Sequence, residues 1–293
     1  MIGLLSSSST WKAFLWMLVA GACAILMGIS GRELSSEMGL FQVMFCRNVI
    51  ALSITVVALF LTGLSGVRTR FIKRHVFRNL VHFAATYLWF VGIISIPMAA
   101  VFALEFTTPL WTAILAALWL KERLSLSRVF GIVIGFIGIL IILRPGIAVV
   151  HPASLAVIAS AMGLSVAYVI TKSVVHEDSA WTILFWMNLI QIPLSLGLSL
   201  PHWVWPSDAL IPWVFGIGIA GFGLHLAISQ AMTHADASVV VPFDFLRLPL
   251  ITVVAWFMYQ ESLDVFIFIG AGIIVFGNAI ILNSEAPKKA RFT

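Results

Sequence analysis

Two stretches of this chain align on each other at a shift of 139 residues: VFALEFTTPLWTAILAALWLKE at residues 101–122 and VVPFDFLRLPLITVVAWFMYQE at residues 240–261. Both stretches are almost purely apolar, so the few acidic residues and the glycines that follow serve as landmarks. The coinciding landmarks are Glu105 with Asp244, Glu122 with Glu261, Gly131 with Gly270, and Gly138 with Gly277. An internal repeat of this length indicates that the chain is built from two related halves.

The composition excludes a soluble globular protein. The chain has 293 residues, of which 61% are hydrophobic and 10% are charged, whereas soluble domains contain about 45–50% and about 25%. The net charge of +5 comes from basic residues between apolar runs, so it predicts an orientation in a bilayer and no nucleic-acid partner. Cys23 and Cys46 lie in apolar runs, and zinc and phosphate-loop motifs are missing. We therefore expect no disulfide, metal or cofactor.

The apolar runs have the length of transmembrane helices, which need about 20 residues to cross the hydrocarbon. Breaks at charged residues and at Pro and Gly clusters divide the chain into ten segments. Their predicted spans are 11–30, 39–62, 77–95, 98–119, 127–144, 153–174, 180–199, 209–232, 237–259 and 265–283. The runs do not alternate in polarity, as barrel strands would. The sequence therefore predicts an all-α membrane protein of ten transmembrane helices, the first of them uncleaved.

Lysine and arginine are unevenly distributed between the two sides of these predicted helices. Arg32 and Arg144 fall on one side. The side that includes the N-terminus holds Lys12, Arg68, Arg70, Lys73, Arg74, Arg78, Lys121, Arg123, Arg128, Lys172, Lys288, Lys289 and Arg291. Because positive residues are retained in the cytoplasm, both termini are predicted to be cytoplasmic.

Each half of the chain holds five predicted crossings, and this odd number inverts the second half relative to the first. We therefore predict two five-helix repeats, residues 1–147 and 148–293, related by a pseudo-two-fold axis in the membrane plane. Inverted repeats are typical of secondary transporters, whose substrate sites lie between the halves.

The chain resembles the ten-helix drug/metabolite transporters of the EamA type. The motifs that carry the resemblance are Thr107-Thr108-Pro109-Leu110, Leu120-Lys121-Glu122-Arg123-Leu124 and Arg144-Pro145-Gly146. The second copy departs from this pattern, since Pro249 comes one position later and Gln260 replaces the lysine. Within the family the chain is most similar to YddG-type exporters of aromatic amino acids. The resemblance implies a multi-pass protein of the bacterial inner membrane that exports small amphipathic metabolites, such as aromatic and other neutral amino acids.

Ionisable residues inside the bilayer cost at least about 2.5–3.5 kcal/mol each, so each needs a partner or a function. Four qualify: Arg47, Glu105, Asp244 and Arg247. Glu105 and Asp244 each lie roughly 10 Å from the entrance of their helix at 1.5 Å per residue, which places one acid near each mouth of a central pathway. Asp244 and Arg247 are spaced to pair, and Arg47 has the depth to pair with Glu105. Structural ion pairs between helices are the alternative explanation.

Polar and aromatic side chains at mid-depth complete the predicted substrate cavity. They are Tyr87, Trp111, Tyr168, Asn188 and His225. For each of them, a hydrogen bond between helices is an equally good explanation. The predicted hinges are Pro109, Pro242 and Pro249, because proline frees a backbone carbonyl in the two helices that carry the acids.

Two other functions fit parts of the sequence. Gly163-Leu164-Ser165-Val166 matches the short pattern of intramembrane serine hydrolases, with His225 as the base, but an inverted repeat of ten crossings does not suit that fold. Transport of other metabolites or of cationic drugs fits the same helices and differs from amino-acid export in the substrate alone. We expect a non-enzymatic carrier of a small molecule that lies in the lipid bilayer as a monomer or weak homodimer.

Overall fold

The computed structural model of the chain describes residues 8–62, 67–119, 125–145, 150–172, 174, 177–234, 244 and 247–285. These residues form helices and short connections, with no β-strand among them. In chain order the helices are α1 (Ser8–Leu34), α2 (Leu40–Thr62), α3 (Ile72–Ser95), α4 (Met98–Glu105), α5 (Thr108–Trp119), α6 (Leu126–Leu143), α7 (Pro152–Lys172), α8 (Ala180–Ser199), α9 (Ile211–His234), α10 (Arg247–Tyr259) and α11 (Val265–Glu285).

Eight segments of the described residues are long and apolar enough to cross a membrane. One of them, Met98–Leu115, combines α4 with most of α5. Two further apolar stretches, Arg247–Tyr259 of α10 and Val265–Ile281 of α11, are shorter. The structure thus confirms a helical protein of multiple membrane-length segments, while the count of ten crossings stays a prediction.

The segment predicted as one helix over residues 98–119 is broken between α4 and α5. Pro109 explains the break, because its ring would clash with the carbonyl of Glu105 four residues earlier and it has no N–H to donate. The hydroxyls of Thr107 and Thr108 donate to the carbonyls of Leu104 and Glu105, each at 2.7 Å. The predicted hinge residue therefore lies beside a real interruption, and the interruption places the Glu105 carboxylate at a helix end.

The other two predicted hinges differ from Pro109. Pro249 is the third described residue of α10, and its role as a hinge stays a prediction. Pro242 lies outside the described residues.

The helix contacts are reciprocal between the two halves of the chain. The most extensive contacts of α1 are with α9, and those of α7 are with α3. The pairs α2 with α8, α6 with α11, and α4 with α10 are also in contact. If α1 corresponds to α7, α2 to α8, α3 to α9 and α6 to α11, the α1–α9 contact maps onto the α3–α7 contact, and the α2–α8 and α6–α11 contacts map onto themselves, as a two-fold relation requires.

The crossing of α6 and α11 depends on four glycines. A Cβ added at Gly138 would lie 2.6 Å from the Gly270 carbonyl oxygen, and one at Gly131 would lie 2.7 Å from that of Gly277. The two backbones therefore touch directly, as small residues permit in membrane helices. In the repeat Gly131 corresponds to Gly270 and Gly138 to Gly277. In the structure Gly131 instead contacts Gly277, and Gly138 contacts Gly270.

We expect Gly138→Ala to lower the melting temperature in detergent, because the added methyl overlaps a backbone oxygen and overpacking costs about 1–3 kcal/mol. Gly272→Ala is the matched control, since a Cβ at Gly272 on α11 meets nothing within 4 Å. Alanine should be neutral or slightly stabilising there, because it favours helices by about 1 kcal/mol over glycine. Equal melting temperatures for the two variants would contradict the close crossing.

Candidate functional site

Arg247, the first residue of α10, joins the two acids that the sequence analysis singled out. Its Nη2 atom lies 3.0 Å from Glu105 Oε1 and 3.2 Å from Asp244 Oδ2. The Asp244–Arg247 pair has the predicted spacing of three residues. With two carboxylates and one guanidinium, the group has one unmatched negative charge. We call Glu105, Asp244 and Arg247 the acidic cluster.

Aromatic rings surround the acidic cluster. The Arg247 guanidinium lies over the rings of Phe102 and Phe106, 5.2 and 4.9 Å from their centroids, and cations are attracted to the faces of such rings. Trp89 on α3 donates its Nε1–H to Glu105 Oε2 at 2.8 Å. Three helices, α3, α4 and α10, therefore meet at one charged group. Sequence reasoning did not include the two phenylalanines, because most Phe residues in such a chain face lipid.

The prediction that Glu105 and Asp244 lie near opposite mouths of a pathway is wrong, because both contact the same guanidinium. If each acid lies about 10 Å from its own side of a hydrocarbon core about 30 Å thick, about 10 Å of depth separates the two acids. Arg247 lies three residues after Asp244, and its long side chain reaches from there to Glu105.

Tyr168 on α7 has 47% of its surface accessible. The acidic cluster and Arg78 are within Coulombic range of its hydroxyl. Of the predicted cavity residues, Tyr168 is the one whose hydroxyl lies within Coulombic range of the acidic cluster.

Arg47 belongs to a different buried group, so the prediction that it pairs with Glu105 is wrong. Its Nη2 donates to Asn48 Oδ1 at 3.0 Å and to Gln191 Oε1 at 3.1 Å. Gln191 in turn donates to the Asn79 carbonyl at 3.3 Å and contacts His82 Nδ1 at 3.0 Å. These residues lie where α2, α3 and α8 meet, and the group is held by amide and imidazole side chains.

Arg78 is part of the same region, although the sequence placed it at the cytoplasmic end of the predicted helix 77–95. The reason is the helix boundary: α3 begins at Ile72 rather than near residue 77, so Arg78 lies in its second turn and is buried. It donates through Nη1 to Asn79 Oδ1 and through Nε to Thr171 Oγ1, both at 2.7 Å. We call Arg47, Arg78 and the amides and histidines around them the basic cluster.

Two more predicted cavity residues, Asn188 and His225, line a narrow crevice with Arg47. Asn188 Nδ2 donates to the Leu184 carbonyl of its own helix at 2.9 Å. The His225 ring lies 6.0 Å from the His82 ring on α3.

Tyr87 and Trp111 contact residues that belong to neither cluster. The Tyr87 ring stacks on Phe41 at 4.6 Å, and Trp111 Nε1 donates to Thr107 Oγ1 at 3.2 Å beside the helix break. The structure also fails to support the hydrolase alternative, since the Ser165 hydroxyl donates to the Met162 carbonyl at 2.7 Å and not to His225.

A third polar group joins the ends of α1, α3 and α10. Arg32 forms an ion pair with Glu261 and donates to the carbonyls of Ile93 and Ile96 at 2.7 and 2.9 Å. Glu261 Oε2 also accepts from the backbone N–H of Met98 at 2.9 Å. We call this group the end cluster. Glu261 was a landmark of the repeat, but nothing in the sequence indicated its partner.

A bundle of membrane-length helices that buries an ion-pair cluster between its two halves is the architecture of a membrane transport protein. The model of the EamA-like transporter family matches residues 11–144 and again residues 151–283. The chain belongs to this family, and it is a multi-pass membrane transporter.

Full-length relatives and a solved structure are similar to the chain. It is 30% identical to a riboflavin transporter of Vibrio cholerae, over 94% of this chain and 95% of the relative. It is 26% identical to an S-adenosylmethionine uptake transporter of Rickettsia prowazekii, over 92% of both chains. A crystal structure with 20% identity matches the fold with a TM-score of 0.65, covering 94% of this chain and 96% of that chain.

We expect Arg247→Met to lower the free energy of unfolding by about 3 kcal/mol, because it leaves two buried carboxylates without a cation. Adding Glu105→Gln should recover part of that loss, so a double-mutant cycle measured by unfolding in detergent should show positive coupling. Arg144→Met is the control, since its pair with Asp264 is about a third exposed and should contribute about 1 kcal/mol or less. Strict additivity of the Arg247 and Glu105 losses would refute the shared cluster.

Proposed function

We propose that this protein is a secondary carrier that moves a small organic metabolite across the bacterial inner membrane by alternating access. The observation that carries the proposal is the acidic cluster, in which Glu105 from the first half meets Arg247 and Asp244 from the second. Alternating access requires that contacts between the halves exchange during each cycle. A cluster with one unmatched negative charge has a position free for a cationic group of the substrate or for a proton.

The proposed architecture has ten crossings in two inverted repeats that divide near residue 147, with both termini in the cytoplasm. Eight membrane-length segments and two shorter apolar helices support this count. The reciprocal helix contacts and the crosswise glycine contacts of α6 and α11 support the inverted relation. In this orientation the end cluster lies on the outer side, where its ion pair closes the pathway between α1, α3 and α10.

The proposed substrate has a flat heteroaromatic ring and a polar tail. Riboflavin and S-adenosylmethionine, which name two of the relatives, share these features. Aromatic rings lie beside the acidic cluster and can stack on such a ring once the halves move apart. They are Phe102, Phe106 and Trp89, which are buried in this conformation. The names of the relatives do not support export of aromatic amino acids. They favour the alternative that we drew from the sequence, a transporter of other metabolites.

Counterflow in liposomes that contain the purified protein tests this function directly. Liposomes loaded with unlabelled compound should accumulate labelled riboflavin or labelled S-adenosylmethionine above protein-free liposomes, and phenylalanine serves as the amino-acid comparison. Accumulation of phenylalanine alone would return the substrate to the amino-acid class. If no one of the three accumulates, the proposed substrate class is wrong.

For the compound that accumulates, we expect Glu105→Gln to reduce the initial rate by about tenfold or more, equivalent to ~1.4 kcal/mol. The amide keeps the shape of the side chain but removes the charge that holds Arg247 between the halves. Asp264→Asn is the matched control, because it removes a carboxylate paired with Arg144 outside the acidic cluster. A folded Glu105→Gln variant with the wild-type rate would exclude Glu105 from the transport cycle.

A further inference from the structure

The basic cluster contains two buried arginines without a counter-ion. Arg47 and Arg78 are each 4% exposed. Neither forms an ion pair with a carboxylate anywhere in the described part of the chain, and their hydrogen-bond partners are the neutral side chains of Asn48, Gln191, Asn79 and Thr171. By contrast, Arg32, Arg144 and Arg247 each contact a carboxylate.

A guanidinium stays charged in proteins, and a buried charge costs several kcal/mol unless it is paired. Neutral amides repay only part of this cost. Two such groups in one region of the bundle therefore indicate a site whose full complement of partners includes an anion.

Arg47 has donors available for that anion. Its Nε and Nη2 groups bond to Asn48 and Gln191, which leaves both N–H groups of Nη1 without an acceptor among the described residues. Arg47 also lines the crevice with Asn188 and His225. The His225 ring nitrogens have no hydrogen bond within the described residues, so the one N–H of the neutral ring can donate to an occupant.

The packing holds Arg47 at the crevice. A Cβ added at Gly221 on α9 would lie 3.0 Å from Arg47 Cγ. The glycine therefore provides the space in which the arginine stem crosses α9. The crevice is closed in this conformation, so binding of an anion requires the helices around it to move apart.

The basic cluster and the acidic cluster have one neighbour in common. Tyr168 is within Coulombic range of Arg78 on one side and of Glu105, Asp244 and Arg247 on the other. His225 is within range of both Arg47 and Arg78.

We propose that the basic cluster is the subsite for an anionic group of the transported metabolite, a carboxylate or a phosphate, bound by Arg47 with Asn188 and His225. The substrate is then an organic anion or a zwitterion whose cationic group lies toward the acidic cluster. This inference rests on the proposed transport function and narrows its substrate class.

The test measures the melting temperature of the purified protein in detergent by intrinsic tryptophan fluorescence. Acetate and inorganic phosphate are the probes, each compared with chloride at equal ionic strength to remove general screening. We expect one of the two to raise the melting temperature of the wild type by about 2 °C or more, a shift that binding to the folded state produces. The effective probe distinguishes a carboxylate subsite from a phosphate subsite.

Arg47→Gln should abolish this shift, and Arg47→Lys should retain at least part of it. Arg144→Gln is the matched control and should keep the full shift, since that arginine already has Asp264 as its partner. If Arg47→Gln does not fold, His225→Ala provides the second variant, and it should reduce the shift by about half because one donor to the anion is lost.

The proposal is overturned if neither probe stabilises the wild type more than chloride does, or if Arg47→Gln keeps the shift. In the second case the anion binds elsewhere. Failure of the counterflow experiment gives a different result. If none of the three compounds is transported but the anion still raises the melting temperature through Arg47, those substrates are rejected and the subsite is supported.

Discussion

The shared guanidinium of Arg247 constrains the rest of this structure more than any other interaction. In lipid the cost of an unpaired charge is high, so Glu105 and Asp244 must stay close to Arg247 or find a replacement. This requirement fixes α10 against α4, and the Trp89 hydrogen bond to Glu105 adds α3. The helix break at Pro109 serves the same arrangement, because it ends α4 where the carboxylate is needed. Movement between the halves therefore depends on what replaces these contacts.

The two buried clusters have opposite charge imbalances. The acidic cluster has one more carboxylate than guanidinium groups, and the basic cluster has Arg47 and Arg78 without a described carboxylate. If their only role were to hold helices together, the excess charges would be expected to compensate each other directly. Instead the described residues show no ion pair between the two clusters, and Tyr168 is within Coulombic range of residues in both. Two groups of opposite excess charge are complementary to a dipolar molecule.

The sequence predicted the helical membrane architecture, because lipid leaves few solutions for a chain this apolar. It predicted the Asp244–Arg247 pair because three residues along a helix determine that distance. It did not predict that Glu105 joins them or that Arg47 pairs with amides, since depth along a helix gives no information on which helices are neighbours. Arg78 was missed for a local reason, a helix start placed five residues too late. Substrate identity depends on side-chain positions that apolar periodicity does not encode.

The repeat shows where the specificity of the molecule comes from. At a shift of 140 residues Asn48 falls on Asn188, and both lie at the basic cluster, yet Arg47 falls on Met187. At the shift of 139 residues Glu105 falls on Asp244, yet Arg247 falls on Thr108. The landmarks that shape the scaffold are therefore shared by both halves, whereas each buried guanidinium occurs in one half alone. A two-fold scaffold permits the two inverted states of a carrier, but a substrate with different ends needs a site without that symmetry. Arg47 and Arg247, which have no arginine counterpart in the other half, provide this asymmetry.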